Sequence, residues 1–230
     1  MVTTSVKGDD FSSNIYQVFK LDSIDYVNVH NYGSKNYLNV IPKKAQSSYT
    51  QFNKPIMYQE VGYNGNSGSD QYRADPNNIT LHQELWAGMM STGSSGMNWW
   101  WESWIEVNNC YSYFSAPARF AKMIDLSGNM TLIYGSSKVS NTKTSLLSIG
   151  YSFSNKAYIY VYDKNYNVDN YNVSFSSTMT VKIDNGTYIV KQYDTNNMNL
   201  IKSEEINASN GSLKVSISGT NDIAVIITKK

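Results

Sequence analysis

The sequence predicts a mixed architecture, an α/β half built on parallel strands followed by an all-β half built on antiparallel ones. Two patterns carry that expectation. From residue 1 to about 126, short β-type runs alternate with helical stretches four times, at roughly 30 to 40 residues per unit, the order that parallel strands joined by crossover helices require. From about 130 onward the helical pattern stops and alternating strand runs broken by Asn-Gly pairs take over. Four β-α units are half of an eight-unit barrel, and the tail reads as a small antiparallel sandwich. The expected domains are 1–128 and 129–230.

The first unit pairs a strand in "MVTTSV" (1–6) with a helix in "NIYQVFKL" (14–21), and the second pairs "DYVNVHNYG" (25–33) with "KKAQSSYTQF" (43–52). In the third, "KPIMYQEVG" (54–62) precedes a helix over 79–93, where Asn78 is the expected cap and Leu81, Leu85 and Met89 recur on one face. The fourth joins "GMNWWWE" (96–102) to "SAPARFAKMIDL" (115–126). In the second half, Ala157, Ile159 and Val161 share one strand face while Tyr158, Tyr160 and Tyr162 share the other. That tyrosine stripe suits either packing against a neighbouring surface or a platform for a sugar. Asn185-Gly186 and Asn210-Gly211 are the expected tight hairpins, and Asp163, Asp184 and Asp194 fall at strand ends or turns, where Asp is ordinary.

Composition narrows the function. Of 230 residues, 19 are Lys or Arg and 18 Asp or Glu, for a net charge of +1, so no strong field recruits nucleic acid or an anionic membrane. The 19 Tyr and 5 Trp, in a chain only 16% charged, fit β-rich packing and also fit sugar surfaces, which offer C–H faces and hydroxyl rims. The single Cys110 has no internal disulfide partner and reads as a buried thiol. The N-terminus lacks the layout of a secretory signal, and no apolar stretch approaches membrane-spanning length. Sequons at Asn78, Asn129, Asn172, Asn185, Asn207 and Asn210 are no more than the roughly five that chance gives in so Asn- and Ser-rich a chain. No metal cluster, phosphate loop or Ser-His-Asp set is legible, so no cofactor is expected.

The strand ends are where chemistry is expected, because in parallel α/β folds the loops after the C-terminal ends converge on the reactive rim. Pro55 to Tyr58 is apolar, yet the run finishes on Glu60. Tyr26 to Val29 likewise finishes with His30 and Tyr32, two residues apart and so on one side of a strand. The fourth run ends in Trp99, Trp100, Trp101 and Glu102, with Glu102 suited to a cap or loop. His82, Trp86 and Trp104 read as packing residues. A carboxylate, an imidazole, a phenol and indoles at successive strand ends suit a pyranose ring.

"IDYVNVHNYG", "KPIMYQEVGYNG" and "LHQELWAGMMSTGSSGMNWWWESW" resemble the sixth, seventh and eighth strand regions of clan A glycoside hydrolases, most of all family 5-like bacterial enzymes whose TIM-type (β/α)8 barrel precedes a C-terminal β-sandwich. "DNGTYIVKQYDTNNMNLIKSEEI" resembles that appended domain. The resemblance implies that Glu60 is the nucleophile, that His30 and Tyr32 are the His-x-Tyr after strand six, and that Trp99 and Trp101, on one face by alternation, bind substrate while Trp100 packs outward. It also implies retaining hydrolysis, with a second carboxyl as acid/base. In the clan that group is the Glu of an Asn-Glu pair ending strand four, and this sequence contains no Asn-Glu.

"MVTTS" then corresponds to strand five, and strands one to four would precede residue 1. The partner implied is a polysaccharide such as β-mannan, cellulose or a related β-glucan; strands one to four are missing through truncation, a misplaced start codon or a split gene, and in the last case the N-terminal half-barrel is a further partner as a separate chain; export is implied for the whole protein. Three functions are open, the first of them implied by the resemblance. The first is a fragment of a retaining endo-acting β-glycanase, inactive alone, the second a non-catalytic carbohydrate-binding protein, and the third a structural or assembly protein.

Overall fold

The computed structural model describes residues 1–91, 96–98 and 101–230. Residue contacts divide them into two units, one of residues 1–114 with 167–169, the other of 115–166 with 170–230. Among the described residues no helix is long and apolar enough to cross a membrane.

The first unit is built on four strands in the order β1 (Ser5–Val6), β2 (Val27–Tyr32), β3 (Ile56–Gly62) and β4 (Gly96–Asn98), every neighbouring pair parallel. A 3₁₀ helix (Asn14–Lys20) follows β1, α1 (Tyr37–Phe52) follows β2, and α2 (Gly68–Ala74) with α3 (Ile79–Met89) follows β3. Alternation sorts the sheet into two faces. Val27, Val29, Ile56, Tyr58 and Val61 are fully buried, and α1 and α3 pack on each other and against β3. The opposite face carries Asn28, His30 and Tyr32 from β2 and Met57 and Glu60 from β3.

Glu60 reaches that polar face through a register slip. Val29 pairs with Tyr58, but His30 pairs with Glu60, so Gln59 is an extra residue in β3. In an unslipped ladder Asn31 would face Glu60, turning the carboxylate toward the helices and Val61 away from them. The exposed Gln59 accepts a hydrogen bond from Asn28 Nδ2 at 3.0 Å.

Several expected boundaries move. The fourth strand pairs only over 96–98, and Trp101 opens a π-helical turn (Trp101–Ile105), so strand alternation does not extend to it. Trp99 and Trp100 lie outside the described residues. Asn78 holds the N-cap position of α3, as expected, but its side chain does not cap the helix. It sits in the left-handed region at φ 53° without a side-chain capping bond, and its Oδ1 accepts from Trp104 Nε1 at 2.8 Å. The buried Asp75 caps instead, accepting from the amides of Ile79 (2.9 Å) and Thr80 (2.7 Å) and from the Thr80 hydroxyl (2.7 Å). α3 is buried on nearly all sides, so its Leu81, Leu85 and Met89 row is not a lone core stripe; Leu85 and Met89 are only partly buried.

After α4 (Ser112–Ala121) the second unit is wholly antiparallel. One layer runs β5 (Thr131–Leu132), β7 (Leu146–Ser152), β8 (Lys156–Asp163), β13 (Asp222–Lys229), β10 (Gly186–Tyr193), β11 (Leu200–Ala208); the other runs β6 (Val139–Asn141), β9 (Ser174–Lys182), β12 (Ser212–Thr220). A single pair, Thr220 with Asp222, joins them. Ile159 and Val161 of β8, Val225 of β13, Met179 and Val181 of β9 and Val215 of β12 share one core, which makes the layers a sandwich.

The tyrosine stripe is no open platform, because Tyr158, Tyr160 and Tyr162 are all buried, and the Tyr160 hydroxyl donates to Asp222 Oδ2 at 2.5 Å. Nor do the Asn-Gly pairs close long hairpins. Asn210-Gly211, with φ of 53° and 71°, makes one bridge, Ser209 to Ser212, before its strands part to different layers. Asn185-Gly186 carries the chain from β9 to β10, which do not pair.

Candidate active site

At the C-terminal ends of β2 and β3, a cleft of about 470 Å³ is lined by Lys7, Gly8 and Asp9 from the loop after β1, by His30, Asn31 and Tyr32, and by Glu60. Glu60 and His30 side chains are each 17% exposed, sheltered yet open to the cleft. Both side chains that alternation puts beside Glu60 converge on one of its oxygens. His30 Nδ1 lies 3.0 Å from Oε2, and the Tyr32 hydroxyl donates to the same Oε2 at 3.0 Å. Oε1 has no hydrogen-bond partner among the described residues, so the carboxylate is fixed in orientation while one oxygen stays available.

The surroundings pin each donor. His30 Nε2 stands 2.9 Å from Ser5 Oγ. The Tyr32 ring lies against the loop after β3 so closely that a Cβ on Gly65 would stand 3.4 Å from Tyr32 Cγ. Burial, the Glu60 hydrogen bond and the nearby charges of Glu60 and Glu84 hold the Tyr32 phenol proton well above the usual range, so it remains a donor. The buried Tyr37 of α1 ties the two strand ends together, its hydroxyl bonded to the carbonyls of Gly62 (2.7 Å) and Asn31 (3.1 Å).

A second carboxylate lines the cleft. Asp9 Oδ2 accepts from Asn31 Nδ2 at 2.8 Å and from the Tyr58 hydroxyl at 3.2 Å, while Lys44 Nζ stands 3.5 Å from Oδ1. With donors from β2, β3 and α1 around it, Asp9 braces the loop after β1 against the sheet. Asp9 and Ser5 are not among the site residues expected from sequence, although "SVKGDD" carries the signal that marks Glu60, a carboxylate just past a β-type run.

Of the other residues singled out, Trp101 is 43% exposed and leans on Tyr111 (5.8 Å between centroids) and Phe114 (5.6 Å); it is not among the residues lining the Glu60 cleft. Trp99 lies outside the described residues. Glu102 is exposed in the π-helical turn. His82, Trp86 and Trp104 are buried, and burial pushes the Cys110 thiol up. No group of three metal-ligating side chains occurs among the described residues.

No family model and no curated protein matches the chain. Solved structures do. A GH30 endoxylanase from Clostridium papyrosolvens C71 superposes with a TM-score of 0.55 at 15% identity, over 98% of this chain and 56% of its own. A protein described as a glycoside hydrolase gives 0.52 at 12% identity, over 91% and 53%. A GH family 44 xyloglucanase from Paenibacillus polymyxa, solved with xyloglucan, gives 0.50 at 11% identity, over 93% and 48%. The families these structures name are 30 and 44, where the sequence motifs suggested a family 5-like enzyme. The chain spans about half the length of each. At such identities the likeness is one of fold, and that fold is glycoside hydrolase-like.

Proposed function

We propose that this chain supplies strands five to eight of a (β/α)8 barrel, residues 1–128, with its appended sandwich, 129–230, and that Glu60 is the nucleophile of a retaining, endo-acting β-glycanase. The observation that carries the reading is the double clamp on Glu60 Oε2 by His30 and Tyr32, with Oε1 bonded to none of the described residues. In a retaining reaction Oε1 attacks the anomeric carbon, the glycosidic C–O bond breaks, and a glycosyl ester forms. Oε2 then becomes the ester carbonyl and keeps both donors, so the carboxylate need not reorient along the reaction path. The fold likeness and its half-length coverage support the same reading.

The proton for the leaving oxygen must come from another carboxyl. Asp9 shares the cleft, but as a brace it is occupied by Asn31 and Tyr58. The acid/base is assigned to strands one to four of the whole barrel, so residues 1–230 by themselves are inactive on unactivated polysaccharide. Trp99 and Trp101 are the proposed substrate-binding indoles.

An activated glycoside isolates the role of Glu60, because a 2-deoxy-2-fluoro sugar with a dinitrophenolate leaving group needs no acid to depart. Mass spectrometry should find the glycosyl adduct on Glu60, absent in Glu60→Ala. Labelling at another carboxylate, or none across gluco-, xylo- and manno-configured reagents, refutes the assignment.

A second reading, a non-catalytic carbohydrate-binding protein, is favoured by the contact of Trp101 with Tyr111, 43% and 42% exposed. Affinity for xylan or β-glucan that survives Glu60→Ala, is lost in Trp101→Ala and occurs without labelling would select it.

A further inference from the structure

We infer that Ser5 is a positioning residue that anchors the Nε2 end of the His30 ring and thereby holds its Nδ1–H on Glu60. The geometry is a chain of three side chains: Ser5 Oγ stands 2.9 Å from His30 Nε2, and His30 Nδ1 stands 3.0 Å from Glu60 Oε2. An ionised carboxylate only accepts, so Nδ1 must carry a proton. In the neutral ring Nε2 is then a bare acceptor, and a hydroxyl donor satisfies it. The opposite tautomer would set the Nδ1 lone pair against Oε2, two acceptors at hydrogen-bond distance. Glu60 selects the tautomer, and Ser5 holds the far end of the ring so that Nδ1–H stays on Oε2.

Local structure delivers that hydroxyl. β1 pairs with β2 through only Ser5 with Asn28 and Val6 with Val29. In this register Ser5 shares the polar face with Asn28 and His30, while Val6 is buried on the other side. A hydroxyl is also the group that tolerates both ring states, because it can accept from Nε2–H when the ring is charged. The other groups facing this cleft are Lys7 and Asp9 of the loop after β1, Tyr32 of β2 and Glu60 of β3. Of these, Glu60 and Tyr32 are already bonded to each other, and Asp9 is turned to Asn31 and Tyr58.

The tautomer belongs to the geometry alone; its consequence for labelling rests on the nucleophile reading. The full chain carries only two histidines, so long-range ¹H–¹⁵N spectra of ¹⁵N-histidine-labelled protein at alkaline pH resolve the rings, with His30→Gln giving the assignment. The expected result is a protonated Nδ1 and an unprotonated Nε2 at His30. Ser5→Ala should move the Nε2 resonance, which loses its hydrogen-bond partner, and broaden the Nδ1–H signal as the ring loosens, and Ser5→Thr should restore the parent pattern. The buried His82 on α3 reports folding in the same spectrum.

A parent protein protonated at Nε2, or a Ser5→Ala spectrum unchanged at His30, overturns the inference. In the labelling assay Ser5→Ala should slow adduct formation about tenfold, with Ser5→Thr close to the parent. Absence of labelling with the tautomer intact would count against the nucleophile reading and leave the role of Ser5 in place.

Discussion

His30 faces Glu60 across β2 and β3 because the ladder slips by one residue at Gln59. The slip decides the sheet face of the carboxylate and so whether any donor can reach it. Since His30 and Tyr32 both bond Oε2, each should contribute separately to holding the attacking oxygen. Tyr32→Phe removes one charge-assisted bond and should lower the rate of Glu60 labelling about tenfold, equivalent to about 1.4 kcal/mol. His30→Ala should lower it by at least as much, and the double variant by more than either. Equal rates in the parent and Tyr32→Phe would show that the clamp does not orient the nucleophile.

The brace at Asp9 should show in stability. Asp9→Ala leaves the buried Tyr58 hydroxyl without its acceptor and removes the anion that faces Lys44. Leaving a buried donor unpaired costs about 1–3 kcal/mol. Urea unfolding should therefore show a midpoint lowered by that free energy divided by the slope, with the slope unchanged. Tyr58→Phe in the Asp9→Ala background should recover part of the loss, because the stranded hydroxyl is gone. A midpoint equal to that of the parent would show that the loop after β1 holds without the brace.

How much of this was legible in sequence depends on the range of the signal. The strand-end positions of His30, Tyr32 and Glu60 follow from alternation and apolar runs, which are local. The slip at Gln59 left no mark, because a bulge is set by which neighbouring register buries Val61 and frees Glu60, a relation between two strands. The same holds for Asn78: Asn is a good cap by type, but Asp75 lies near enough to take two amides, and Asn78 is drawn off by Trp104, 26 residues away. The Asn-Gly pairs signalled turns, and turns formed, yet strand partners were chosen by the shared core of the two layers and not by chain adjacency.

The side chain that caps α3, Asp75, is testable against the N-cap residue Asn78. Asp75→Ala strips acceptors from two amides and the Thr80 hydroxyl in a buried setting and should cost about 2 kcal/mol of unfolding free energy. Asp75→Asn keeps one acceptor oxygen and should recover about half. Burial pushes the Asp75 carboxyl up, outweighing the Thr80 and Ile79 donors. The native state therefore holds this proton more tightly than the unfolded chain, so this residue's stabilising contribution declines as pH rises through and above the ordinary aspartate range. The parent should lose ground to Asp75→Asn over that interval, as read by urea midpoints; a gap that widens in the parent's favour would contradict it.

Asp163 in the sandwich should show the opposite slope. Its carboxyl accepts from Ser145 Oγ at 2.6 Å and from the Asn165 amide and side chain at 3.0 Å each, with Lys143 Nζ 3.3 Å away. Burial alone would raise the carboxyl, but Ser145, Asn165 and Lys143 together hold it below the usual aspartate range. A folded value below the unfolded one means that the stabilisation is fully present above the unfolded value of about 3.9 and is lost as pH falls through the folded one. Asp163→Asn should thus destabilise the protein by about 1–3 kcal/mol near neutrality. The gap from the parent should close as pH falls through the unfolded value and then the lower folded one, because only the parent pays to protonate a well-paired acid there. Denaturant titrations of both proteins across that range decide it, since a gap independent of pH would mean that the four contacts hold the neutral acid as well as the anion.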